Sequence, residues 1–203
     1  MPAWPPPGTA PEVWHLHREG RLDPAVPDGG VTRYVYDPDD PTPAVGGPSL
    51  MPRSGPVDNA AHERRPDVTV FRSEPLTSPV TVTVAGVPVA HLRFRSSRPS
   101  ADVFVRICDV HPDGRSMTVC DGIRRVAADG AGDVEVPLWP TFHRFAAGHR
   151  ISVQVSSGAH PRYARNPGTC EPAAVAAVTH RAEQEISHDP GHPSRVTLPV
   201  WQA

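Results

Sequence analysis

The sequence predicts an all-β jelly-roll sandwich of about ten strands with little helix, and three observations predict it. Apolar residues recur with a period of two, as in Ile151-Ser-Val153-Gln-Val155, and not with the 3.6-residue period of a helix. Prolines number 27 in 203 residues, well above the usual ~5%. Each removes a backbone donor and is excluded from helix interiors and central strands. Turn-forming clusters separate the alternating runs at short spacing, as in sandwiches and jelly rolls. A chain of this length buries roughly 70% of the surface its unfolded form exposes, so a core forms without disulfides or metals.

The elements follow in order. Residues 1–11, MPAWPPPGTAP, read as a proline-rich linker that forms neither helix nor ladder. Residues 12–203 then form a single sandwich domain. Val13 to His17 and Val31 to Tyr36 are strands separated by Arg18-Glu19-Gly20. Asp37 to Asp58 carries six prolines and three glycines without periodicity. A loop of about 20 residues is usually functional or disordered. Strands resume at Val68 to Arg72 and at Val80 to Val84. Next, Ala90, Leu92 and Phe94 alternate with His91, Arg93 and Arg95, the pattern of a half-buried strand. Asp102 to Val110 is apolar on both faces and predicts a central strand. His111-Pro112-Asp113-Gly114 has hairpin-turn chemistry, with Gly114 at positive φ, and Ser116 to Cys120 returns. Val134 to Leu138, Ile151 to Val155, Ala174 to Ile186 and Val196 to Val200 complete the set. In the long Ala174 to Ile186 stretch the alanines favour helix weakly, and Val175, Val178 and Thr179 favour strand.

Composition excludes several functions. Net charge is −2, the pI is about 6.6, and all 20 basic residues are arginine and thinly spread. No basic patch marks a nucleic-acid surface. No apolar run approaches the ~20 residues of a membrane span, and no hydrophobic leader opens the chain, so the reading is soluble and cytoplasmic. Three cysteines do not make a disulfide framework. A four-residue turn sets Cys108 opposite Met117 and Cys120 opposite Val105, on different sheet faces.

Catalytic and cofactor motifs are missing. The nearest approach to the nucleophile elbow G-x-S-x-G is Gly114-Arg115-Ser116-Met117-Thr118, which lacks the second glycine and lies in a hairpin. Of the 11 histidines, His15 and His17 share a strand face. His188 and His192 are split by Pro190-Gly191, which prevents a helical ligand pair. No phosphate-cradling glycine loop occurs, so no cofactor and no metal is expected. Trp139 follows a strand and is the best candidate for a sugar-stacking platform.

Several segments together resemble a known domain. They begin with Tyr34-Val-Tyr-Asp-Pro-Asp-Asp-Pro-Thr-Pro-Ala-Val-Gly-Gly47, Arg65-Pro-Asp-Val-Thr-Val-Phe71, Asp109-Val-His-Pro-Asp-Gly-Arg-Ser116 and Asp121-Gly-Ile-Arg124. Leu138-Trp-Pro-Thr, Gly148-His-Arg-Ile-Ser-Val-Gln-Val-Ser-Ser157, Pro161-Arg-Tyr, Arg165-Asn-Pro-Gly-Thr169 and His192-Pro-Ser-Arg195 continue in the same order. From about Glu12 to Val200 the chain resembles the C-terminal, non-catalytic domain of the X-Pro dipeptidyl-peptidase and cocaine-esterase family of α/β-hydrolases. The resemblance implies a galactose-binding-like jelly roll. It also implies that the catalytic serine, aspartate and histidine belong to an upstream α/β-hydrolase domain, encoded with this one or separately. Cys170 and Cys120 depart from the family pattern.

The expected role is a domain that packs on that hydrolase domain and helps form its substrate cleft. Pockets favour domain interfaces, where two surfaces build concavity. Leu50 and Met51, placed after Gly46-Gly47 in the long loop, are the expected pocket or interface residues, with no catalytic residue in this chain. A homo-oligomer is a further possible partner. The rivals are a stand-alone carbohydrate-binding sandwich and an independent enzyme with an unrecognised site.

Overall fold

The computed structural model describes residues 3–50, 54–77, 82–127 and 131–202. Period-two alternation in these residues produces two antiparallel sheets facing each other. In chain order the strands are β1 (Thr9–Leu16), β2 (Leu22–Asp23), β3 (Val31–Tyr36), β4 (Thr69–Arg72), β5 (Val82–Gly86), β6 (Val89–Ser96) and β7 (Ser100–Val110). They continue as β8 (Ser116–Ala127), β9 (Ala131–Pro137), β10 (Thr141–Phe145), β11 (Arg150–Ser156), β12 (Ala182–Ser187) and β13 (Arg195–Trp201). Helix is confined to 3-10 turns at Arg18–Gly20 and His62–Arg64 among the described residues. The larger sheet runs β10-β5-β13-β6-β12-β3, with β1 and β2 branching from β13 and β9 from β6. The smaller runs β4-β11-β7-β8. This is the expected β-sandwich, more finely divided than about ten strands.

The core fills the space between the sheets. From the small sheet come Phe71, Val103, Val105, Ile107, Ile151, Val153 and Val155; the large sheet supplies Ala90, Leu92, Phe94, Val134, Val136, Ile186, Val196 and Leu198. β6 alternates as the sequence requires, burying Leu92 and Phe94 while Arg93 and Arg95 face outward. The central strands β7 and β11 are buried on both faces. On the outer face of β11 the buried residues are polar, Ser152, Gln154 and Ser156. Something other than core must cover them, and it is the long loop between β3 and β4.

Four sequence expectations are corrected. The ladder of β1 begins at Thr9, inside the stretch read as linker, where Thr9, Ala10 and Pro11 face Trp201, Val200 and Pro199 of β13. Proline is tolerated there because alternate positions of an antiparallel pair need no donor toward that partner. The strand expected from Ala174 starts only at Ala182. Before it, the amides of Val175 and Ala176 both bond the Pro172 carbonyl, at 3.0 and 3.1 Å, so proline sets a turn that overrides the β-branched residues. β10, too short and half-exposed to show in the pattern, pairs with β5. Cys108 faces Thr118 because the turn holds five residues, His111 to Arg115, and Cys120 faces Ile107 because a bulge in β8 shifts the register by one more. The bulge turns Cys120 into the core, while Cys108 stays on the outer face beside Gln154; neither is bridged. Residues 80 and 81 of the strand expected at Val80 lie outside the described residues.

A candidate domain interface on the long loop

The loop is stitched down before it projects. Thr42 donates to Asp67 (2.7 Å), and Arg65 bonds both Asp67 and Asp40. The Ala44 amide reaches the His160 carbonyl at 2.7 Å, and the His160 amide reaches Thr42 at 2.8 Å. Asp58 then bridges Met117 on β8, and its carboxylate accepts the Ser116 amide.

Between these anchors the chain rises into a small hairpin. Gly47 and Gly55 exchange two backbone bonds of 3.0 and 2.9 Å. Gly46 and Gly47 have φ of 59° and 82°, a region glycine enters without penalty. Both are also forced by crowding. A Cβ on Gly46 would lie 2.3 Å from Val57 Cγ2, and one on Gly47 would lie 2.5 Å from both Arg162 Nη1 and Asp121 Oδ2. Leu50, three residues past Gly47, has a relative exposure of 107% and is wholly outside the sandwich. Met51, expected beside it, lies outside the described residues. Leu50 therefore does not anchor the loop on its own domain.

Beneath the hairpin lies a buried ionic group that sequence reading missed. Arg106 on β7 donates to Asn59 Oδ1 at 2.6 Å and lies 3.4 Å from Asp121 Oδ2 on β8. Arg162 donates to the same Asp121 oxygen at 2.9 Å. Arg106 is 1% exposed and Asp121 0%. Asn59 ties the group to the loop by donating to the Val57 and Ser116 carbonyls and to Thr118. A second buried carboxylate, Glu63, accepts from Ser116 Oγ, Gln154 Nε2 and Arg72. Burial, with Arg106 close by, lowers the pKa of His62 from 6.5 to about 4, so this imidazole is neutral at pH 7. Buried charges hold only when paired and hydrogen-bonded; here they fix loop to sheet.

Nothing in this arrangement prepares a nucleophile. Ser116 is buried and spends its hydroxyl on Glu63, not on a histidine. Burial pushes the Cys108 thiol up to about 12, and burial likewise raises that of Cys120, so neither forms thiolate at pH 7. His15 and His17 donate to the Pro24 and Ala25 carbonyls, which makes them braces for β1 and β2. His188 is buried against Thr32, whereas His192 lies in an exposed turn. Trp139 is half-exposed after β9, and no aromatic ring packs on it among the described residues. No described helix is long and apolar enough to cross a membrane.

Comparison with known proteins agrees with this picture. Cocaine esterase of Rhodococcus sp. (strain MB1 Bresler) is 34% identical over 97% of this chain, and a putative serine esterase of Mycobacterium bovis is 27% identical over 98%. The chain spans 38% and 35% of those relatives' lengths. Among solved structures, an α-amino acid ester hydrolase superposes with a TM-score of 0.85 at 29% identity, covering 93% of this chain and 36% of that one. An aminopeptidase from a marine-sediment Thaumarchaeota archaeon gives 0.88 at 29% identity, covering 98% and 38%. The family profile described as "X-Pro dipeptidyl-peptidase C-terminal non-catalytic domain" matches residues 1–197. This chain, a sandwich whose buried polar groups brace a loop and prepare no nucleophile, belongs to that family of non-catalytic C-terminal domains.

Proposed function

We propose that this domain packs on an α/β-hydrolase domain through the long-loop hairpin and helps wall that domain's substrate cleft. The observation that carries the reading is Leu50. A leucine held wholly in solvent, in a hairpin clamped to buried charges, gains its burial from another surface. The bracing of the loop's base matters, because a segment already held to the sheet loses less conformational entropy on docking. The relatives' lengths fit this reading, since each carries additional chain of the size a hydrolase domain needs. Ester or peptide substrates are contacted by the hydrolase domain, with Leu50 and Met51 contributing an apolar wall.

The test is Leu50→Ser in the isolated chain, mixed with the hydrolase domain of the Rhodococcus relative. The variant should unfold within about 0.5 kcal/mol of the parent, as for an exposed position. It should bind the hydrolase domain at least tenfold more weakly, read by sedimentation or calorimetry. Equal binding by both chains, or a loss of several kcal/mol of stability, would remove Leu50 from the interface.

A further inference from the structure

A cluster of histidines remains outside the loop. Asp109 ends β7, His111 opens the turn after it, His143 lies on β10, and His149 precedes β11. These positions come from both sheets and two connecting turns. They converge on one carboxylate: His149 Nδ1 donates to Asp109 Oδ1 at 2.8 Å, and His143 Nε2 donates to Oδ2 at 3.0 Å. His111 Nε2 stands 4.0 Å from Oδ2, beyond hydrogen-bond range, and its ring overlaps that of His149 with centroids 4.4 Å apart. One potential ligand atom from each of Asp109, His111 and His149 lies within 4.8 Å of the others.

We propose that Asp109, His111 and His149 bind a divalent transition-metal ion of the zinc class, with His143 holding the carboxylate in place. A tetrahedral ion with bonds of about 2.1 Å sets its ligand atoms about 3.4 Å apart. The trio approaches that spacing, and small side-chain rotations close the difference. Two imidazoles and one carboxylate are the donor set of zinc, nickel or cobalt; calcium and magnesium demand oxygen ligands. Three protein ligands leave a position for water, and His111 and His149 are partly exposed, so an ion reaches the site from solvent. Arg115 faces the trio, its Nη2 3.4 Å from His111 Nδ1. Its guanidinium is half-exposed and pairs Asp113, so it is free to turn away as the imidazole engages the ion. A bound ion would join the β7–β8 turn, the end of β7 and the β10–β11 turn, closing one end of the sandwich.

The experiment is calorimetric titration of the metal-stripped chain with zinc chloride, repeated with cobalt chloride under visible absorption. One ion per chain is expected, with a rise in melting temperature at saturation and cobalt bands typical of nitrogen-oxygen ligation. His111→Ala and His149→Ala should each lower affinity by more than the about 10–100-fold expected for His143→Gln, which touches only the supporting contact. Arg115→Ala should tighten binding. His91→Ala/His192→Ala, at histidines elsewhere on the surface, should leave the titration unchanged. His111 lies in a solvent-facing turn, so its variant tests the site without disturbing the core. The proposal falls if zinc shows no saturable uptake at one equivalent or no cobalt bands develop. It falls equally if the His111→Ala/His149→Ala chain, with its β-type circular dichroism intact, binds zinc as the parent does; the cluster is then only a hydrogen-bonded brace.

Discussion

Gly47 and Gly114 share nearly the same backbone conformation, φ 82° and 89°, in opposite surroundings. Around Gly114 a Cβ meets nothing within 4 Å, so Gly114→Ala costs only backbone strain, about 1 kcal/mol. Around Gly47 a Cβ collides with both members of a buried ion pair, and Gly47→Ala should cost about 3 kcal/mol or more. Urea midpoints of the two variants measure the contrast, and equal shifts would dissolve it. His62 makes a second prediction at this scale. Its folded pKa of about 4 lies below the ordinary 6.5. As pH falls, the unfolded chain takes up this proton first, so stability present above pH 6.5 is lost between about 6.5 and 4. The loss is on the order of 3 kcal/mol. His62→Gln should flatten that part of the stability–pH curve, and an unchanged curve would show that His62 is not its source.

The long loop behaves as an element despite having no regular structure of its own. Its anchorage depends on Asp121, which faces two buried arginines. Asp121→Ala would leave Arg106 and Arg162 without their shared counter-charge and should destabilise the chain by about 3–5 kcal/mol. Denaturant unfolding of this variant checks it; a loss under 1 kcal/mol would mean the ionic group is incidental. Strand alternation was legible in β6, where burial on one face writes directly into a period of two, and in β11, whose buried outer face is polar; β7 was legible as a central strand because it is apolar on both faces. The paired glycines before Leu50 announced a close approach of backbone, which the Gly47–Gly55 pairing forms. The ionic group was not. Arg106 lies 15 residues from Asp121, and Arg162 41, so no local spacing ties them. An arginine alternating with Val105 and Ile107 also looks like an ordinary solvent-facing residue. Only the loop folding over that face makes it the most deeply buried cation of the small sheet. The same distance effect hid the approach of His149 to Asp109, 40 residues away, while the nearby pairs His15/His17 and His188/His192 proved to be braces and turn residues.

At the scale of the molecule, far-UV circular dichroism should be dominated by β-structure. Helix content near the 30–35% of an average globular domain, as roughly expected from base rates, would be incompatible with this topology. The purified chain should also resist fluorophosphonate labelling, since its best-placed serine, Ser116, is buried and donates to a carboxylate. Labelling abolished by one Ser→Ala change would reveal a nucleophile and overturn the non-catalytic assignment for this chain. The pairing of Pro11 with Pro199 across β1 and β13 has a different kind of consequence. Neither ring nitrogen carries a hydrogen, so this pair occupies a rung where no donor is required from either side. Toward β5 the absent Pro199 donor tells, for the register of β13 with β5 holds only at Val200 and Val84. Sliding β1 by a single residue would carry proline to a rung that needs a donor and swap the two faces of the strand. The two prolines thus act as a key that admits one alignment, so the N-terminal strand closes the sheet in the right frame or fails to close it.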